Sequence, residues 1–369
     1  MTALVIVIGA INVVLALVSL TSSLRPTPRA TPRSGDTPSV TLFVPCCGAE
    51  EGLAANLEAL SSQDYPGLRV CFVVETSEDA AAPVIEAQGG ELVVAGSADG
   101  RGQKVHNLLA AIEAMDPTEV WAFADSDGRP DPGWLRRLVA PLSRPDVGVA
   151  STYRFYVPAP ASFATLVRSV WNASVLSLLG DHDRNFAWGG GMAIRREVFD
   201  RVGAREAWTG ALSDDYALTH AVRRAGLRVA FSSDCLVPSH GSVGFAELLS
   251  WVTRQIKITR VYWPALFWMA AVHHGLYTTF LVLGPWVGGR VALVMWVAVL
   301  LMGAWTGAAR ARGYSWARDH AWAYATMFPL ASLVTVQAVI RALVSRRIEW
   351  RGRVYEMRSP SETVIVSRR

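Results

Sequence analysis

Charge is scarce in this chain. Of 369 residues, 18% are Asp, Glu, Lys or Arg and 51% are hydrophobic. Cysteine is scarcer still: Cys46, Cys47, Cys71 and Cys235, with no CxxC and no metal-type spacing to histidine. Three of them fall in apolar strands or just after one, so they read as reduced thiols used as small apolar residues. A glycine-rich phosphate loop is missing. After the first apolar strand the sequence is "VPCCGAEEG", with two glycines where a dinucleotide turn wants three, and no Walker lysine. A bound diphosphate must therefore be held by metal and basic side chains. No repeat recurs at a fixed period, which excludes a solenoid. The opening "MTALV" has no Lys or Arg. That argues against a cleaved signal peptide, which needs a basic start.

What is abundant is apolar sequence, unevenly placed. Leu4 to Leu20 carries no charge over 17 residues, the lower limit for crossing a bilayer. Arg25, Arg29 and Arg33 follow it. That order favours a retained anchor with its N-terminus outside and the next domain in the cytosol. Three further apolar stretches are Pro264–Val287, Val291–Ala309 and Ala321–Leu343, the last interrupted by Pro329 and Gln337. The chain ends in "SRRIEWRGRVYEMRSPSETVIVSRR". One anchor plus three spans puts this tail outside, whereas its arginine density says inside. One apolar segment must then lie in the interface or re-enter, and the sequence leaves open which. The net charge of +4 sits beside these segments, which favours anionic lipid headgroups over nucleic acid as a partner.

Between the anchor and the second apolar region, strand and helix patterns alternate. "RPTPRATPRSGDTPS" (25–39) reads as an extended linker. Strands are expected at 40–45, 68–75, 91–96, 119–124 and 147–155, and helices at 50–63, 104–115 and 134–142. Apolar β-rich runs alternating with amphipathic helices predict an α/β domain with a mostly parallel, doubly covered sheet. In such sheets ligands lie beyond the carboxyl ends of the strands, and the polar clusters fall there.

Asp125-Ser126-Asp127 ends the run "VWAFA". Two carboxylates there suit Mg2+ or Mn2+ that also takes phosphate oxygens; Asp and Gly before Pro are equally ordinary turn chemistry. Glu75 ends the second strand, where it can take nucleotide hydroxyls or serve as a helix-end charge. Lys104 opens a helix, joining an ammonium to free N–H groups; a solvated lysine is the bland alternative. Trp188 precedes three glycines, 189–191, which cost backbone entropy unless something approaches the main chain closely. Ser213-Asp214-Asp215 precede a helix as an N-cap with acidic first-turn residues, and a carboxylate fixed there also suits a general base.

Together and in this order, these residues resemble a membrane-bound family 2 glycosyltransferase of GT-A fold. They are most similar to the ceramide glucosyltransferase-like enzymes, often placed in family 21. The resemblance rests on "VPCCGAEEGLAANLEALSSQDYP", "GRGQKVHNLLAAI", "FADSDGRPDPGWLRRLVAPL", "FAWGGGMAIRREVF", "SDDYAL" and "RQIKITRVYW", and runs from Val40 to Tyr355. It implies that Glu75 lies by the donor nucleotide and that Asp125 and Asp127 bind the diphosphate and its metal. Lys104 and Asp214 line the donor, and Asp215 is the general base of an inverting transfer. It places Trp188, Gly189 and Gly190 toward the acceptor. The family's Q/R-x-x-R-W motif reads Arg254-Gln255-Ile256-Lys257-Ile258 here. Lys257 keeps the charge but loses the planar fork. Ile258 replaces the tryptophan, a role nearby Trp263 can take. Cys47 stands where close relatives carry lysine.

The expected organisation is an anchor at 1–24, a linker at 25–39 and a GT-A catalytic domain at 40–243. An interfacial helix at 244–263, transmembrane helices at 264–345 and a basic tail at 346–369 follow. The expected activity is metal-dependent transfer of one sugar from a nucleotide sugar, UDP-glucose by family default, to a lipid hydroxyl such as that of ceramide. The expected setting is the cytosolic face of a bacterial membrane. The rivals are a processive polysaccharide synthase, which the missing tryptophan disfavours, and a non-catalytic membrane scaffold.

Overall fold

The computed structural model describes residues 1–23 and 37–368. The expected linker lies outside these as far as residue 36, and with it Arg25, Arg29 and Arg33. The chain forms two compact units. One holds the described residues from 37 to Phe155, then Leu176–His240 and the segment from Arg347. The other holds the N-terminal helix, Tyr156–Val175 and Gly241–Arg346.

The first unit is built from strands β1 (Val40–Pro45), β2 (Leu68–Val74), β3 (Glu91–Val94), β4 (Val120–Ala124), β5 (Val147–Ser151), β6 (Arg154–Tyr156), β7 (Gly191–Arg195), β8 (Arg228–Phe231) and β9 (Val237–Ser239). Seven of them make one sheet in the order β3-β2-β1-β4-β7-β5-β8. All its pairs are parallel except those of β7, which runs antiparallel between β4 and β5. β4 and β5 are buried along their whole length, which is why they read as unbroken apolar runs. Phe43 of β1 stacks on Phe123 of β4 at 5.7 Å. Strand order reverses between β1 and β4, the place where an open sheet leaves a crevice at its carboxyl ends. The single strand expected over 147–155 is interrupted. Thr152 Oγ1 donates to the Cys235 carbonyl at 2.8 Å, so the chain leaves the ladder and resumes as β6. Cys46, Cys71 and Cys235 are buried free thiols; Cys47 is exposed.

The C-terminal segment is not a tail. It forms β10 (Arg347–Trp350), β11 (Arg353–Ser359) and β12 (Glu362–Arg368), an antiparallel sheet belonging to the same unit as the large sheet. Arg351 and Gly352 both have positive φ, 50° and 73°, the conformation of a two-residue hairpin turn. The arginine density that reads as a tail is thus the polar face of a hairpin.

In the second unit three helices are long and apolar enough to cross a membrane: Thr2–Ser23, Pro264–Leu283 and Gly289–Arg312. Their flanks present exposed Val14, Val272, Val294, Leu301 and Trp305, as helices facing lipid do. The apolar stretch expected over Ala321–Leu343 is not one span. It breaks into Ala321–Thr326 and Phe328–Val344, the second only 17 residues long with Pro329 in its first turn, where proline is tolerated. Thr2–Ser23 and Gly289–Arg312 run in the same direction. Gly288 lies against Ile6 and Val5 at one end, and Arg310 bonds Ser19 and Ser22 at the other. Asn12, buried mid-helix, donates to the Ile8 carbonyl at 2.9 Å. His274 shares a 2.9 Å bond with Ser332, a satisfied pair within this unit.

Candidate active site

Asp125 and Asp127 follow β4 directly, so the buried strand delivers both carboxylates to the crevice at the switch point. Lys104 Nζ donates to Asp125 Oδ1 at 2.8 Å and lies 3.2 Å from Asp214 Oδ2. Lys104 is the second residue of the helix Gln103–Ala114. That helix starts against Leu212: Gly102 N–H donates to the Ala211 carbonyl, and a Cβ at Gly102 would lie 2.8 Å from the Leu212 oxygen. This close approach brings the lysine to Asp214.

The antiparallel register pairs Ala124 with Gly191, which lays Gly189 and Gly190 beside Asp125. A Cβ at Gly190 would meet Asp125 Oδ2 at 2.5 Å and the Trp188 ring at 2.2 Å. One at Gly189 would meet Asp214 Oδ2 at 2.4 Å. The glycines are there because carboxylates and a tryptophan occupy the space of any side chain. Lys104 also donates to the Gly189 carbonyl at 3.1 Å.

Asp214 and Asp215 open the helix Asp214–Arg224, with Ser213 as N-cap. Asp214 is 4% exposed and Asp215 half-buried. Asp215 Oδ2 accepts from Gly189 N–H at 3.1 Å, and Oδ1 accepts from Tyr216 N–H at 2.7 Å and from the Ser213 hydroxyl. Its carboxylate plane is fixed from both sides.

Arg154, in β6, is the residue that the sequence reading missed. It donates to Asp125 Oδ2 at 2.7 Å, to Asp127 Oδ2 at 2.9 Å and to Asp127 Oδ1 at 3.1 Å. Its guanidinium lies 5.0 Å over the Trp188 ring, a cation–π contact. In sequence it sits inside "STYRFY" and passes for an ordinary strand residue. Only an arginine among small and aromatic strand residues hints at a partner.

Glu75 ends β2 as expected and is held by Arg353 of β11 and by Ser97 Oγ at 3.0 Å. The rest of the C-terminal sheet binds nearby loops. Arg351 pairs with Glu50, the Tyr355 hydroxyl accepts from Gln103 N–H at 3.3 Å, and Arg368 donates to the Ala98 carbonyl at 2.8 Å. None of these partners was singled out from sequence. Arg254 and Lys257 lie on the helix Phe245–Tyr262, with Trp263 at its C-cap, in the second unit.

The electrostatics follow from burial and crowding. Burial opposes charge on Lys104, but Asp125, Asp214 and Asp215 outweigh it and raise the ammonium pKa. Burial also works against Asp125, where Lys104 and Arg154 prevail and hold it below the usual carboxylate range. Asp214 goes the other way. Burial, with Asp215 and Asp125 alongside, pushes it up to about 6 despite Lys104. The lysine thus serves Asp125, its nearer partner, at the expense of Asp214. Burial raises Glu75, yet bonds from Arg353 and Ser97 leave it lowered.

Four carboxylates here meet two cations, an excess of two negative charges when all are ionised. Asp125 and Asp127 offer hard oxygen donors, and a divalent cation matches that excess. Among the described residues no three His, Cys, Asp or Glu side chains converge to hold an ion. A metal at Asp125 and Asp127 would therefore complete its shell with ligand oxygens, as Mg2+ does with phosphates. The residues fit such an ion provided Arg154 yields its fork on both carboxylates.

A mixed seven-stranded sheet carrying an acidic pair at its switch point is the GT-A glycosyltransferase fold. The solved mannosyltransferase PcManGT of Pyrobaculum calidifontis, in complex with GDP-Man and Mn2+, is similar over 92% of this chain and 99% of its own, at 19% identity and a TM-score of 0.52. The sequence profile of glycosyl transferase family 21 matches residues 1–363, and the chain belongs to that family. An uncharacterized glycosyltransferase of Mycobacterium tuberculosis is 36% identical over 107 residues, taking in 29% of this chain and 44% of the relative. Ceramide glucosyltransferase 3 of Caenorhabditis elegans is 21% identical over 60% of this chain and 50% of its own length. The matches thus span half or less of these curated relatives.

Proposed function

We propose that this glycosyltransferase transfers a single sugar, with inversion, from a nucleotide sugar to a hydroxyl of a lipid at the membrane surface. UDP-glucose and ceramide are the donor and acceptor that the family resemblance favours. The observation that carries the reading is the convergence of Asp125, Asp127, Lys104, Arg154 and Asp215 beyond the carboxyl ends of the strands.

Asp215 is the general base in this reading. Its carboxylate is oriented by Gly189, Tyr216 and Ser213, and unlike Asp214 it is reachable. It takes the acceptor hydroxyl's proton as that oxygen attacks the anomeric carbon, and the bond from that carbon to the diphosphate oxygen breaks on the opposite side. Asp125 and Asp127 would hold Mg2+ or Mn2+, which supplies neutralisation of the departing diphosphate. Lys104 and Arg154 add fixed positive charge where that negative charge develops. Glu75, held by Arg353, faces the nucleotide. Asp214 keeps Lys104 in place. Trp188, Gly189 and Gly190 form the wall toward the acceptor. The family resemblance assigns Arg254 and Lys257 to the donor and Trp263 to the acceptor.

The test is turnover by the full chain in lipid nanodiscs. It is offered a panel of nucleotide sugars with Mn2+ or Mg2+, then EDTA, with and without ceramide. Metal-dependent nucleotide release from one donor, stimulated by ceramide and yielding a single glycolipid, is expected. A polymer that stays at the chromatogram's origin overturns single transfer. No release from any donor overturns catalysis.

A further inference from the structure

The second unit contains a cavity of about 770 Å³ including its open mouth. It lies among the helices Thr2–Ser23, Phe163–Leu176, Pro264–Leu283 and Gly289–Arg312, and the proposed chemistry uses none of its lining residues. Its walls are apolar: Leu15, Val170, Val299 and Phe328 among them. Its polar features are unusual for such a place. Arg310 lines it, and its Nη2 reaches only neutral oxygens, Ser19 Oγ at 3.2 Å and Ser22 Oγ at 3.4 Å, with the Ser19 carbonyl at 3.5 Å. Among the described residues Arg310 has no carboxylate partner. Thr306, one turn earlier on the same face, also lines the cavity. It is 5% exposed and its hydroxyl has no hydrogen-bond partner.

A charged group between apolar helices without a counter-ion is costly and marks a function. A buried hydroxyl left unpaired costs the desolvation of that group. Both deficits are removed by one ligand: an apolar chain in the cavity ending in an anionic, hydrogen-bond-accepting headgroup. Basic pockets between spanning helices bind lipid phosphates in this way, and a guanidinium suits phosphate through its paired donors. Free phosphate would satisfy the arginine but leave the apolar walls bare. We propose that this cavity is a binding site for an anionic phospholipid of the surrounding bilayer, its phosphate on Arg310 and Thr306 and one acyl chain along Val170 and Val299. This ligand differs in charge from the proposed acceptor, which is neutral.

Native mass spectrometry of the full chain, released from detergent micelles containing dioleoyl phosphatidylglycerol or dioleoyl phosphatidylcholine, tests this. One phosphatidylglycerol is expected to stay bound, about tenfold more tightly than phosphatidylcholine, whose choline cation offsets the phosphate charge that Arg310 would meet. Arg310→Gln should lose that preference. Gly303→Leu is the second variant. Gly303 lines the cavity, and a Cβ there would meet nothing within 4 Å, so leucine fills the space without straining the helix. It should lose the lipid while keeping the arginine. Equal retention of the two lipids, or wild-type retention of phosphatidylglycerol by either variant, overturns the site. The readout is bound lipid, so a failure to find transfer activity leaves it unaffected.

Discussion

At the scale of residues, the site is a balance of charges in which each side chain's state depends on its neighbours. Arg154 holds both carboxylates that a metal would need, so ion and guanidinium compete. Arg154→Gln should therefore bind Mn2+ in the absence of nucleotide about tenfold more tightly than the parent, as removal of a nearby cation strengthens a charged site. Calorimetry reads this directly, and equal or weaker binding would mean the arginine does not compete. Asp215→Asn keeps the shape and removes the proposed base. Transfer should fall roughly 10²–10⁴-fold with donor affinity unchanged by the same calorimetry; a parallel loss of binding would remove Asp215 from the base role. Asp214 offers a test of sign. Its folded pKa, about 6, lies above its unfolded value of roughly 3.9. The associated stability is therefore present below pH 4 and is lost as pH rises through 6. Asp214→Asn mimics the protonated form. It should raise the melting temperature at pH 8, by something on the order of 1–3 kcal/mol in stability, with the gain gone by pH 4. A variant less stable than the parent at pH 8 would show that the Lys104 pair outweighs burial.

At the scale of elements, sequence was legible where one local rule sufficed. The runs Val40–Pro45 and Val120–Ala124 are buried on both faces and can be nothing but inner strands. The placing of Asp125, Asp127 and Asp215 at element ends was readable, because turn and cap chemistry confines such residues there. Arg154 was not, since its partners are 27 and 29 residues away and nothing local demands an arginine. The C-terminal hairpin failed for a different reason. Its alternation in "RVYEM" and "ETVIV" and its Arg351-Gly352 turn were visible, but arginine density beside apolar spans pointed to a tail. That hairpin has a consequence for the site. Arg353 fixes Glu75, and the bond lowers the carboxylate's pKa. Arg353→Ala should raise the donor KM about 3–10-fold, the worth of one ordinary hydrogen bond since its effect is indirect, with kcat changed little. A kcat loss with KM intact would place the hairpin's influence elsewhere than the nucleotide.

At the scale of the whole molecule, the strand β1 and the strand β11 belong to one compact unit, so both must lie on the same side of any membrane. The chain between His240 and Arg347 must then cross an even number of times. Three apolar segments in that interval were the difficulty in the sequence. The structure supplies two helices of sufficient length, Pro264–Leu283 and Gly289–Arg312, and a third that is broken at Met327 and too short. Two crossings would satisfy parity and return the arginine-rich C-terminus to the side of the large sheet, and the positive-inside rule expects that side to be the cytosol. A hairpin of these two helices that crosses the bilayer would expose its turn, Gly284–Gly288, on the far side. Replacing Trp286, which is 84% exposed, with cysteine in a Cys47→Ser background gives the test. A membrane-impermeant maleimide applied to intact cells should label Trp286→Cys but not the parent's exposed Cys47, which should react only after the cells are opened. Labelling of Cys47 in intact cells would put the catalytic unit outside. Protection of Trp286→Cys in intact cells would mean that Pro264–Leu283 and Gly289–Arg312 enter the bilayer without crossing it.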